Sequence, residues 1–243
     1  MNSALLNVLG FAAIPAAAVV AGGVFAAFRT PSPGTRSAVQ HIAGGVLFAA
    51  LATELLPDVM HRRMPVVTLI GFALGVAAML GLKAFTRRLE ANAERLGSAP
   101  QPTSLLLTLG VDIALDGLLI GISFAAGARQ GMLLTLALTL EVLFLGVSGA
   151  AALGGANASR QRVIATTMGF AALLLVGAGV GAAFLTGVSG IVLDAVMSFG
   201  LAALLYLVTE ELLVEAHEVT ETPLLTSMFF VGFIALLTVE MLV

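Results

Sequence analysis

The sequence has 243 residues, of which 59% are hydrophobic and only 10% charged, whereas a soluble domain carries roughly 25% charged residues. So little polar surface cannot face water all round, and a formal net charge of -3 offers no basic footprint for phosphates, which excludes nucleic acid as a partner. The absence of cysteine excludes disulfides, thiolate metal sites and thiol catalysis.

A spanning helix needs about 20 mostly apolar residues. Charged or Pro/Gly-bearing breaks divide the chain into eight such stretches, at 4–28, 37–57, 65–84, 103–126, 131–154, 162–186, 190–213 and 223–243. The first is too long for the apolar region of a signal peptide and lacks a basic start, so it reads as a retained helix. Most connections are a few residues long, which makes sequential helices antiparallel. The exception is 85–102, with Arg87, Arg88, Glu90, Glu94 and Arg95, which reads as a solvated cytoplasmic linker. The expected fold is all-α: a single polytopic transmembrane domain over residues 1–243.

Lysine and arginine concentrate in cytoplasmic loops. Alternating helices place Arg62, Arg63 and Arg129 on one side, and Arg29, Arg36, Lys83, Arg87, Arg88, Arg95, Arg160 and Arg162 on the other. The second side is therefore expected inside a cytoplasmic (inner) or plasma membrane, with both termini outside. An internal echo follows the same plan: Gly44, Leu51, Thr53, Glu54, Leu56 and His61 recur 156 positions later as Gly200, Leu207, Thr209, Glu210, Leu212 and His217. The echo joins helices of opposite direction, as in transporters built from inverted repeats. It predicts a 3+2+3 arrangement, with helices one to three related to six to eight. Spacings such as Gly71 with Gly75 and Gly117 with Gly121 suit close helix packing.

An ionised carboxylate at the bilayer centre costs at least about 2.5–3.5 kcal/mol on insertion scales, so each needs a partner or a purpose. Three fall near mid-depth. Asp112 and Asp116 lie four residues apart on the fourth helix, in a stripe with Thr108 and Ser123, and Glu141 lies on the fifth with Ser148 on the same face. Neither helix supplies a cation at that depth, so these groups must protonate, share a bound cation, or act as neutral acids bonded to neighbouring helices. At the cytoplasmic end of the seventh helix lie Glu210, Glu211, Glu215, His217 and Glu218. Glu211, Glu215 and Glu218 follow i, i+4, i+7 and could collect a cation with oxygen ligands, although helix ends also carry solvated acids. At the opposite mouth Glu54, Asp58, His61 and Asp194 could do the same, Asp58 and His61 reading rather as interface residues.

Eight helices with this layout resemble the ZIP family of divalent metal transporters. Asp112-Ile-Ala-Leu-Asp116-Gly117 is similar to the fourth-helix His-Asn-x-Pro-Glu/Asp-Gly signature of that family. The run from Leu205 to Glu218, Leu-Tyr-Leu-Val-Thr-Glu-Glu-Leu-Leu-Val-Glu-Ala-His-Glu, is similar to its seventh-helix ending, and His41-Ile-Ala-Gly-Gly-Val-Leu47 to the start of its second helix. The chain departs from the pattern at Asp112, Ile113 and Leu115 on the fourth helix, and at Phe144 on the fifth, where only Glu141 keeps a ligand. The sixth helix, Val176-Gly-Ala-Gly-Val-Gly181, has none. A binuclear site of the family's usual kind is therefore not expected.

The resemblance implies uptake of a divalent metal ion into the cytoplasm by alternating access. The ion is substrate (zinc, iron, manganese or similar), with Asp112, Asp116, Glu141, Glu210 and Glu211 as ligands and Glu54, Asp194, Glu215, His217 and Glu218 along the pathway. A carboxylate-dominated set without imidazole suits harder ions such as Mn²⁺ or Mg²⁺ better than Zn²⁺. The alternatives are a metal sensor or scaffold that binds without flux, and a proton-linked carrier of another substrate. No enzyme and no organic cofactor is expected. Asp112-x-x-x-Asp116-Gly117 departs from the aspartate spacing of membrane CDP-alcohol phosphotransferases, and neither His-Glu-x-x-His nor a Gly-x-Gly-Asp protease motif occurs. The expected partners are the lipid bilayer and metal ions, with room left for a homodimer.

Overall fold

In hydrocarbon every backbone N–H and C=O must be satisfied within the protein, and an α-helix does this inside a single segment. The computed structural model describes residues 3–29, 31–95, 103–155, 157–185, 190–220 and 222–242. Among them it has no strand and eight helices long and apolar enough to cross a membrane. These are α1 (Ser3–Phe28), α2 (Pro33–Arg62), α3 (Pro65–Arg95), α4 (Thr103–Ala126), α5 (Ala128–Gly155), α6 (Arg160–Leu185), α7 (Gly190–Ala216) and α8 (Pro223–Leu242). The chain is an all-α, polytopic integral membrane protein.

Local chemistry fixes several boundaries. Ser32 caps α2, its hydroxyl accepting the Thr35 amide at 3.2 Å, and Pro33 follows where its missing N–H costs nothing. Arg63 ends α2 in the left-handed region at φ 53°. The third helix runs on to Arg95, well into the segment read as linker from its charges. Charged residues end a bilayer span without ending a helix. The rest of that segment, 96–102, lies outside the described residues.

The packing carries the inverted repeat. In α2 and α7, 61% of the most apolar window is buried in each, and in α3 and α8 only 17% in each. The inner helices are thus α2, α4, α5 and α7, and the outer ones α1, α3, α6 and α8. The most extensive contacts pair α1 with α5 and α6 with α4, then α2 with α8, α1 with α6, and α7 with α3. Exchanging one to three for six to eight, and four for five, maps the α1–α6 contact onto itself and each of the others onto its counterpart.

Both inner repeat helices carry a π-helical turn, Leu51–Leu55 in α2 and Val208–Leu212 in α7, within one residue of matching places at the offset of 156. Pro57 accounts for the first: it lacks an N–H and its ring crowds the carbonyl one turn earlier, so the helix widens around Glu54. The second has no proline, and nothing in the structure explains it.

Glycines hold the repeats together at mirrored crossings. A Cβ at Gly45 would stand 1.9 Å from the Phe229 carbonyl oxygen, and one at Gly71 would stand 2.4 Å from that of Ala195. Backbone cannot yield as a side-chain tip can, and overpacking typically costs about 1–3 kcal/mol or more. Gly45→Ala is therefore expected to lower the thermal unfolding midpoint of the purified protein, whereas Gly169→Ala, with nothing within 4 Å, should not. Equal midpoints would remove the close crossing of α2 and α8.

Candidate functional site

Three of the four inner helices, α4, α5 and α7, bring carboxylates toward one another. Successive turns of α4 place Asp112 and Asp116 on one face, 1% and 0% exposed, and α5 brings in Glu141 at 0%. Oδ1 of Asp112, both oxygens of Asp116 and both of Glu141 accept no hydrogen bond from any group among the described residues. Buried polar groups are almost always paired, and an isolated carboxylate is among the most expensive groups to bury. Glu211 of α7 faces α4, its carboxyl within hydrogen-bond reach of that of Asp112. Two carboxyls so placed need a proton or a cation between them. Glu141 lies within electrostatic reach of Asp116, Asp112 and Glu211.

A cavity of about 170 Å³ leads to this group from the end where α4 begins and α7 finishes. Exposed Leu105, Val214 and Glu210 form its rim, Glu211 and Glu215 its polar wall, and buried Asp112 and Phe144 its floor. Phe144, 2% exposed, sits where the sequence departs from the expected ligand pattern and closes the floor with an apolar ring.

The residues singled out from the sequence fall into distinct groups. Asp112, Asp116, Glu141 and Glu211 lie in one region, meeting in pairs and not as a single cluster. Glu210 diverges, because the π-turn directs it to Lys83 of α3, Oε2 to Nζ 3.3 Å. Glu215 accepts from the Gln40 amide at 2.7 Å. The stripe of Glu211, Glu215 and Glu218 holds for its first two members only: α7 ends at Ala216, and Glu218 lies exposed in the following turn. His217 packs edge to face on His41. At the opposite end Glu54 is half-buried near Glu240, Arg129 and Asp58. Asp58 pairs with Arg62 at 3.0 Å and His61 is exposed. Asp194 is fully buried and accepts from the Thr68 hydroxyl at 3.1 Å. Among the described residues no three acidic or histidine side chains stand close enough to enclose one ion together.

Several polar groups are not among the site residues expected from the sequence. Ser37 donates to the Ala216 carbonyl at 2.7 Å and so caps the end of α7 from α2. Gln40 and His41 face the same helix end, and Glu240 of α8 accepts from the Thr53 hydroxyl at 2.6 Å. Each contact crosses between distant segments, so no local pattern announces it; a polar residue inside an apolar run was the available signal.

The two ends of the inner repeat helices differ. At the offset of 156, Glu211 and Glu215 correspond to Leu55 and Val59, which are 2% and 4% exposed. Apolar packing stands on one side where the other has acid and a cavity. No protein-family model and no curated protein matches the chain.

Proposed function

We propose that the protein carries a divalent cation across the membrane by alternating access, with Asp112, Asp116, Glu141 and Glu211 supplying the oxygen ligands. The observation that carries this is the set of fully buried carboxylate oxygens without hydrogen-bond donors, below a cavity open at one end and sealed at the other. A structural role would bring donors, as Thr53 does for Glu240. A passing cation needs oxygens that are bare when it is elsewhere. Donor chemistry favours a hard ion, Mn²⁺ or Mg²⁺ ahead of Fe²⁺ and Zn²⁺. The motif likeness to ZIP transporters on α2, α4 and α7 points the same way, and the inverted repeat supplies the two interchangeable halves that alternating access requires. Glu210, paired with Lys83, belongs to the rim of the pathway with Glu215, His217 and Glu218, while Glu54 and Asp194 belong to its other mouth.

The basic-residue asymmetry directs the cavity to the cytoplasm, so the protein takes up its ion with both termini outside. The cysteine-free chain permits a direct check. An impermeant thiol reagent applied to intact cells should label Ala128→Cys, at the exposed start of α5, and spare Thr220→Cys, after α7. The opposite pattern reverses the orientation. Uptake by sealed proteoliposomes across Mn²⁺, Fe²⁺, Zn²⁺ and Mg²⁺ tests the transport itself: one or more should accumulate above protein-free vesicles, and binding without accumulation would leave a sensor or scaffold. Carboxylates that meet in pairs rather than threes favour a second reading, a proton-linked carrier of another substrate, which predicts acidification of the vesicle lumen without metal uptake.

A further inference from the structure

We infer that the seam between α4 and α6, headed by Arg162, binds an anionic phospholipid. A groove of about 560 Å³ runs along this seam, walled by Leu107, Ala114 and Leu118 of α4 and by Leu173, Val176 and Val180 of α6. Leu173, Val176 and Val180 are 42%, 62% and 41% exposed, so the groove opens to hydrocarbon and not to the protein interior. Its depth is fixed where the backbones cross: a Cβ at Gly177 would stand 2.4 Å from the Ala114 carbonyl oxygen.

Charge sets the headgroup end. Arg162, Thr166, Phe170, Leu173, Gly177 and Val180 recur at steps of three and four and share one face of α6. Arg162 therefore heads the groove, about 12 Å before Phe170 along the axis. From Phe170 to Val180 the face runs about 15 Å further, half of a hydrocarbon core about 30 Å thick and so the reach of one leaflet's acyl chain. Arg160 stands across the start of α6, its guanidinium 4.8 Å from the centre of the exposed Phe28 ring, and Arg29 follows Phe28 at the end of α1. No acid occurs in residues 1–53 or 142–193, which include all of α1 and α6. None of the three arginines forms an ion pair among the described residues.

A second copy of the chain is a poorer occupant. A two-fold contact through this seam would set each Arg162 toward its own mate with no acid between them. A lipid phosphate supplies the missing negative charge, as basic pockets between transmembrane helices do for anionic headgroups. Because α4 and α6 run parallel, with Gly117 beside Leu174 and Gly121 beside Ala178, the arginines stand at the end where the carboxylate cavity opens. That end has an acidic side on α7 and a basic side on α1 and α6.

The chain contains no tryptophan, so a single Val176→Trp reports on the groove by fluorescence. The full chain would be reconstituted in vesicles of brominated phosphatidylglycerol with unlabelled phosphatidylcholine, and in the converse mixture. Quenching should show a preference of at least about fivefold for phosphatidylglycerol, the effect of about one basic residue near the surface. Adding Arg162→Ala, an exposed position, should lower that preference at least about threefold. Ile234→Trp serves as control: it is 56% exposed on α8, which carries no lysine or arginine and follows Glu218 and Glu221, and it should show no preference. Equal quenching by the two lipids at Val176→Trp, a preference untouched by Arg162→Ala, or the same preference at Ile234→Trp overturns the site. So does weak quenching by both lipids, which a second copy seated in the seam would give. None of these readouts depends on transport, so the lipid site and the cation site fail separately.

Discussion

Asp116→Asn is expected to reduce cation uptake in proteoliposomes at least about 100-fold while leaving the protein folded, and Glu141→Gln to do nearly the same. Both carboxyls are fully buried and their oxygens accept nothing from the described residues. Losing an outer-shell partner already costs 10–100-fold in metal affinity, so losing a direct ligand costs more. The amide keeps the size of the acid and removes only the charge, which separates ligand from structural glue. A neutral acid that bonds to a neighbouring helix is replaced by an amide almost without loss, because asparagine both donates and accepts. A cation site loses one of its few anionic oxygens. Proton and cation compete for the same oxygens, so affinity should fall as pH falls, with binding fullest where the carboxylates are ionised. Binding by the wild type that is flat from alkaline to acid pH, together with normal uptake by Asp116→Asn, would remove the site.

How much of this was legible in the sequence follows from what a bilayer demands. Hydrocarbon requires long apolar runs, and the eight helices follow from that alone. It says nothing of where a helix stops in water, which is why α3 continues to Arg95 beyond the expected boundary. The echo between Glu54 and Glu210 was visible because repeat residues keep their order, but the mirrored pairing of α1 with α5 and α6 with α4 needed coordinates. Asp112, Asp116 and Glu141 were found because an acid in an apolar run is conspicuous. The separate paths of Glu210 and Glu211 were not, since the π-turn over Val208–Leu212 changes the helical phase and nothing in Val-Thr-Glu-Glu-Leu signals it. His41, Gln40 and Ser37 gain their importance from contact with a helix end more than 170 positions away in sequence.

The sealed end should open during transport, and single cysteines can report it. Val59 and Glu215 occupy equivalent positions in the two repeats, yet Val59 is 4% exposed while Glu215 lines the cavity. In the resting protein Glu215→Cys should react with a small thiol reagent at least about 100-fold faster than Val59→Cys, because a thiol packed in apolar surroundings is inert. Alternating access by inverted repeats means each half can adopt the packing of the other. A cation gradient should then shift the population toward the state open at the other end, raising the Val59→Cys rate and lowering that of Glu215→Cys. Adding Asp116→Asn should hold the resting pattern whatever gradient is applied, since an ion that is not bound has no differential affinity through which to move the equilibrium. A sensor or scaffold predicts slow Val59→Cys labelling under every condition. Rates at the two positions that never exchange, in protein shown to bind its cation, would leave the fold a binding protein with one mouth.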